Sequence, residues 1–347
     1  MLEYEPFVEG TDIAANEAWL GRNKRNIFLN LKHPKAIAIV KQLIQEYDIV
    51  IEQFRPVSWK SWGLGYEALK AVNPALIYCS LTGYGQPAPW RKPPVTTATT
   101  WPAAATWPWQ AIGTPAPPMN IQIADICVGS MNSVVGILAA VQYRNRTGKG
   151  QYIDVAMLDG LVPFTAMDGT RFLATGKDCG RESRRSTAVP CTATMRLRTA
   201  NISASLPGTQ FLGGLLHPAS AVPTSLKAPW SRRTSTPCGT GAQRAETKTR
   251  DEWTAIFQEL DCCVEPVLSL KEALLEDEHI RERNLVIEVE VPCTGGKKVK
   301  QLGSPMKLSE CPVTYDLGGY PLGYHTQEVM GALGLDYAAL KAEGVFD

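Results

Sequence analysis

The chain has little net charge, no paired metal-ligand cysteines and no signal-like leader. Nine cysteines are scattered without a Cys-x-x-Cys pair, and Cys262 and Cys263 are adjacent. That spacing excludes the common zinc sites and the frameworks of small secreted disulfide domains, so reduced thiols in a cytoplasmic protein are the expectation. Thirty-five Lys and Arg against 34 Asp and Glu leave a formal charge of +1, mixed along the chain, which argues against nucleic-acid and membrane-surface partners. The N-terminus, Met1-Leu-Glu-Tyr-Glu-Pro6, is acidic, and no apolar run is read as reaching the length of a membrane span. What is present is a soluble-type chain of 347 residues, enough for one large or two ordinary domains.

Strand-like and helix-like segments alternate. Residues 27–31 read as a strand, Pro34 to Tyr47 as a helix, Asp48–Glu52 as a short buried strand, Tyr66–Val72 as a helix stopped by Asn73-Pro74, and Ala75–Leu81 as a strand entering the turn Thr82-Gly-Tyr-Gly85. This alternation predicts parallel βαβ units in an α/β domain. Ligands of such sheets gather at the strand C-terminal ends, where Glu52–Arg55 and Thr82–Gln86 fall. Later, residues 132–144 read as a buried helix, a Gly-Lys-Gly turn leads into a strand at 152–157, and Arg250–Leu260, Leu270–Leu275 and Gln327–Leu335 read as helices. Val264–Leu268 and Val286–Val291 read as strands. Residues 91–112 and 184–246, rich in Thr, Ser, Pro and Arg or Trp, show no usable period.

Asp125 follows a short apolar run and precedes the 132–144 helix. A carboxylate near a helix N-terminus is stabilised as an anion and can be poised for chemistry, although an ordinary helix cap uses the same residue type.

Several motifs carry a family resemblance. They are Arg22-Asn-Lys-Arg25 with Leu29-Asn-Leu-Lys32, Glu52-Gln-Phe-Arg55-Pro56, Gly63-Leu-Gly-Tyr-Glu67, Thr82-Gly-Tyr-Gly-Gln86, Asn120–Asp125, Arg146–Gln151 with Asp154–Asp159, Glu265-Pro-Val-Leu268, Leu302-Gly-Ser-Pro305 and Gly323-Tyr-His-Thr326. Together they resemble the family III CoA-transferases of the CaiB/BaiF type, and most closely their α-methylacyl-CoA racemase-like branch. The resemblance implies a large Rossmann-like α/β domain over 1–185, a small domain over 186–315 and a C-terminal segment, 316–347, that returns to the large domain. It also implies an interlocked homodimer. Leu29, Asn30, Lys32, Gln53, Phe54 and Arg55 would hold coenzyme A, with Phe54 either on the adenine or in the core. Asp125 would be the catalytic carboxylate. Coenzyme A thioesters and a carboxylic acid would be the substrates, with no further cofactor and no metal.

Departures from the family pattern are informative. Val57 stands where the family has a glycine. Family members open with a βα unit before Arg22, so the first βα unit is expected to be missing. The racemase branch places a histidine where Val95 or Thr96 falls and a glutamate near Gln210, and none of His33, His217, His279 and His325 replaces that histidine. A coding stretch for the branch motif Gly-His-Asp-Ser-Asn-Tyr-Leu-Ala, read one base late, can give Val95 to Pro102. One for Tyr-Glu-Ala-Ala-Asp-Gly-Glu-Tyr-Ile-Ser-Val can give Met195 to Ser205. A shifted frame is therefore expected in both anomalous windows, against the alternative of divergent surface loops; translating the coding DNA in all three frames decides between them. The expected activity is CoA transfer through Asp125, with racemisation as the alternative and an inactive remnant acting as a binding scaffold as a third.

Overall fold

The computed structural model describes residues 6–86, 121–177, 191–196, 201–206, 247–259 and 264–346. In chain order the main helices are α1 (Ala15–Leu20), α2 (Pro34–Glu46), α3 (Ser58–Ser61), α4 (Tyr66–Val72), α5 (Met131–Thr147), α6 (Met157–Leu161), α7 (Ala166–Thr175), α8 (Arg250–Gln258), α9 (Glu278–Glu282), α10 (Thr326–Ala332) and α11 (Tyr337–Ala342). The strands are β1 (Ile49–Glu52), β2 (Ile77–Thr82), β3 (Tyr152–Ala156), β4 (Cys191–Arg196), β5 (Asn201–Leu206), β6 (Val264–Pro266), β7 (Val286–Glu290) and β8 (Lys298–Leu302). The chain divides into two compact units. One comprises Met1–Arg181, Val289–Val299 and Tyr315–Asp347, the other Glu182–Glu288 and Lys300–Thr314.

In the first unit β1, β2 and β3 form a parallel sheet in that order, as the alternating pattern predicts. Six consecutive buried residues make β2 the central strand, which is what a parallel strand covered on both faces requires. Alternation sends Cys79 and Leu81 to the face where Ile137 of α5 packs with Val155. Tyr78 lies on the opposite face, against Ile44 of α2 and Leu69 of α4, and makes ring contacts with Tyr66 and Tyr152. The outer strand β1 is less covered than the sequence suggests: Ile51 is exposed although it shares the sheet face of its register partner Cys79.

The expected strand at 27–31 is absent. Its backbone is instead taken up by the C-terminal segment. The Asn26 N–H donates to His325 Nδ1 at 3.0 Å, the Phe28 N–H to Thr326 Oγ1 at 3.0 Å and the Asn30 N–H to the Val345 carbonyl at 2.9 Å. His325 is buried between Tyr320 and Tyr324, so its role is structural.

The helix expected at 132–144 is longer and less buried than its composition implies. An eight-residue π-helical stretch, Ile123–Ser130, runs directly into α5, and the whole segment Ile123–Thr147 is 25 residues long. By length and composition it could cross a membrane, which corrects the sequence reading. One stripe, with Ser133, Ile137 and Ala140, is buried, whereas Met131, Val134, Val135 and Leu138 on the opposite stripe are exposed.

Val57 adopts φ +80°, a region that a β-branched side chain tolerates poorly. Here the structure explains the family glycine: the turn from Arg55 into α3 needs a left-handed residue. Its strain is worth about 1–3 kcal/mol, against about 0.5–1 kcal/mol of unfolded-state entropy that a glycine would add. The side chain is exposed, so little burial would be lost. Val57→Gly should therefore stabilise the protein by about 1 kcal/mol and raise the melting temperature by about 2–4 °C. A thermal melt with an unchanged or lower midpoint would contradict this account of the turn.

In the second unit β4 and β5 form an antiparallel hairpin that β6 extends. β4 and β5 fall inside the window 184–246 that showed no period, so that reading is corrected in part. The repeated small polar residues conceal a two-residue alternation, Ile202, Ala204, Leu206 against Ser203 and Ser205. The segment 91–112 lies outside the described residues. Helix α8 begins with a capping box, in which Thr249 and Glu252 bond reciprocally, and buries Trp253 against Phe257. Arg250 donates to Glu272 at 2.7 Å, and the Ser269 N–H adds a second bond at 2.8 Å. The Arg250 guanidinium and the Ser269 donors hold the Glu272 carboxyl down from 4.5 to about 2. Because the folded value is depressed, this stabilisation is present above pH 4.5 and is lost as the pH falls to about 2. Acid titration followed by tryptophan fluorescence should show an inflection in that window that Glu272→Gln removes.

Candidate active site

Asp125 is the third residue of the π-helical stretch and lies half-buried in its first turn. The N-cap position belongs to Gln122, so Asp125 is not the ordinary cap that its residue type suggested. Its backbone carbonyl accepts a hydrogen bond from Ser130 Oγ at 2.8 Å, across the widened turn. Such π stretches often mark functional positions within helices, and the positive helix end favours an anion there.

Close packing fixes this helix at the C-terminal edge of the sheet. A side chain on Gly129 would press on Leu81 near the end of β2, and one on Gly160 of α6 would clash with Val128. Ala124, Val128 and Leu161 form a buried cluster, with Met157 and Leu158 packed against it. Both glycines thus allow Asp125's helix to sit against the segment that follows β3.

The expected coenzyme A residues fall on two segments. Gln53, Phe54 and Arg55 are exposed and consecutive on the loop leaving β1, at the same sheet edge. Phe54 stacks on Trp59 with ring centroids 5.0 Å apart and meets Trp62 edge-on at 5.4 Å. Leu29 packs against the cluster of Ala36, Ile39, Met330 and Leu340. Asn30 turns the chain toward α2, its Oδ1 accepting from the Lys32 N–H at 3.1 Å, and Lys32 is exposed.

Across this edge runs a polar row whose members, apart from Ser80, the motifs carried separately. Glu52, Ser80 and Asp154 are register neighbours on β1, β2 and β3, hence on one face. Ser80 Oγ donates to Glu52 Oε1, and the Phe54 N–H donates to Glu52 Oε2 at 2.8 Å. Gln86 Nε2 donates to Ser80 Oγ at 2.9 Å, while its backbone N–H donates to Asp154 Oδ2 at 3.1 Å. Desolvation raises the Asp154 carboxyl even though the residue keeps exposed surface; the Gln86 N–H pulls it back and Asp159 adds a smaller upward push. Burial, with Glu52 and Tyr152 as neighbours, also pushes the Tyr78 phenol well up. A polar residue set within each otherwise largely apolar strand, Glu52, Ser80 and Asp154, was the available sequence signal. Val95 and Gln210, the positions of the lost racemase groups, lie outside the described residues. Among the described residues, no group of three His, Cys, Asp or Glu side chains could hold a metal ion.

These features define an α/β protein with a carboxylate-bearing helix docked at the C-terminal edge of a parallel sheet. The chain belongs to CoA-transferase family III, whose pattern it matches over residues 5–326. It is 29% identical to the succinyl-CoA–D-citramalate CoA-transferase of Chloroflexus aurantiacus, over 94% of this chain and 83% of that protein. It is 28% identical to the human alpha-methylacyl-CoA racemase, over 91% of this chain and 82% of that protein. A stretch of 158 residues is 38% identical to the beta subunit of the Chloroflexus aurantiacus succinyl-CoA–L-malate CoA-transferase; it spans 44% of this chain and 39% of that subunit. A CaiB/BaiF family protein from Brucella suis has the same fold, with a TM-score of 0.79 and 25% identity over 94% of this chain and 86% of that one.

Proposed function

We propose that the chain transfers coenzyme A from an acyl-CoA thioester to a carboxylic acid, with Asp125 as the nucleophile. The carrying observation is the placement of Asp125 in the first turn of a helix packed at the edge where the Gln53–Arg55 loop emerges. A carboxylate oxygen attacks the thioester carbonyl, the carbon–sulfur bond breaks, and the CoA thiolate leaves a mixed anhydride. The thiolate then attacks the aspartyl carbonyl, releasing the donor acid and leaving an aspartyl-CoA thioester. The acceptor carboxylate attacks that thioester to form a second anhydride. The returning thiolate takes its acyl group and restores Asp125. Atoms and electrons balance with these reactants alone, and coenzyme A serves as substrate. Lys32 and Arg55 would meet its phosphates by charge-assisted hydrogen bonds.

The same reading includes a homodimer, supported by the exposed apolar stripe of α5. Incubation with acyl-CoA followed by peptide mass spectrometry should find CoA on the peptide bearing Asp125. The racemase reading is kept by the match to the human racemase, yet Val95 cannot exchange a proton with an α-carbon. Deuterium wash-in at the α-carbon of a 2-methylacyl-CoA, without an aspartyl adduct, would favour it. Neither signal would leave a non-catalytic scaffold.

A further inference from the structure

We propose that Gln86, Ser80 and Glu52 form a hydrogen-bonded bridge that positions the coenzyme A loop after β1 relative to the helix carrying Asp125. The inference rests on the assignment of Gln53–Arg55 to coenzyme A.

The bridge is continuous from end to end. The Phe54 N–H is held by Glu52, Glu52 receives Ser80 Oγ, and Ser80 receives the Gln86 side chain. The backbone of Gln86 is anchored on Asp154 of β3. Within the same loop the Gly85 N–H donates to Thr82 Oγ1 at 3.0 Å, and the Gly83 carbonyl accepts from the Leu158 N–H at 2.9 Å. Leu158 lies at the start of α6 and packs with Ala124 and Val128, on either side of Asp125 in the π stretch. Glu52 and Ser80 are both buried. A buried carboxyl group is costly without its hydrogen-bond partners, so the row holds one arrangement rather than several. Gly85, at φ +83°, would place a side chain against Ala156 and close to Asp154, and so lets the turn come down onto β3.

The consequence is specific. Transfer requires the thiolate to leave the donor acyl carbonyl, attack the aspartyl carbonyl and later attack the acceptor's acyl carbonyl, so the distance between its anchor and Asp125 must be maintained between half-reactions. A bridge that fixes the anchor loop affects binding of coenzyme A more than the attack step itself. Gln86, Ser80 and Glu52 are therefore positioning residues: they act through the loop.

The test uses Gln86→Ala and Ser80→Ala in the full chain, with coenzyme A itself as the calorimetric probe. Losing one bond to a charged network should weaken coenzyme A binding, and raise KM for the acyl-CoA, by about tenfold, with kcat within about twofold of the parent. Amide exchange should accelerate at Phe54, which Gln86 reaches through Ser80 and Glu52, while β2 stays protected. Ser80→Ala removes the central hydroxyl of the bridge and should cause the same loss. Unchanged affinity in Gln86→Ala with coenzyme A bound normally by the parent overturns the bridge alone, as does a fall in kcat without a change in KM. A parent that binds no coenzyme A overturns the transferase assignment, and the bridge's role with it.

Discussion

Asp125→Asn should abolish CoA transfer, lowering kcat by on the order of 10⁴-fold, while leaving the fold intact. Asparagine keeps the shape and hydrogen-bonding reach of the side chain but cannot attack a thioester as an anion. The helix packing around it does not depend on the charge, because Ala124, Val128 and Gly129 make the buried contacts. A residue serving only the helix end would behave differently. Loss of its charge would cost about 0.3–1 kcal/mol of stability through the helix dipole and leave turnover near normal. The melting temperature and kcat therefore separate the two roles in one variant. Retention of more than about a tenth of kcat, or survival of the CoA adduct on the same peptide, would remove Asp125 as the nucleophile.

Local periodicity made the sheet legible, and long-range partners hid much of the rest. The β2 strand could be read because six buried residues leave it no other place than the middle of a parallel sheet. Residues 27–31 have strand-like composition, yet the Phe28 and Asn30 N–H groups pair with Thr326 and Val345, nearly the whole chain away. No local pattern encodes that choice. Helix α5 was read as buried because apolar residues occupy both of its faces, although only one face meets the sheet.

The site divides in the same way. Asp125 and the Glu52–Arg55 loop were visible as motifs, and the reason that Glu52 matters was not. Its role depends on register, which sets it beside Ser80 and Asp154, and on a loop residue, Gln86, that returns to cap the row. Val57 was visible only as a departure from a glycine, and the positive φ supplies its physical meaning.

The outer stripe of α5 leads to the second large expectation. Met131, Val134, Val135 and Leu138 recur at helical spacing on the side opposite Ile137 and Ala140, with Val135 and Leu138 65% and 62% exposed. The inner stripe packs on Cys79, Leu81 and Val155, so this helix covers a sheet, which a helix surrounded by lipid would not do. Its free side fits a second copy of the chain. In a two-fold interface each substitution acts twice. Covering the exposed part of each of these side chains is worth about 1 kcal/mol, so Val135→Glu with Leu138→Glu removes about 4 kcal/mol and weakens association roughly 10³-fold. Light scattering coupled to size exclusion should show a dimeric parent and a monomeric double variant with unchanged helix content. A parent that is monomeric at micromolar concentration would refute the dimer, and one that floats with liposomes would transfer the stripe to a lipid surface. The buried inner stripe makes the dimer the expected result.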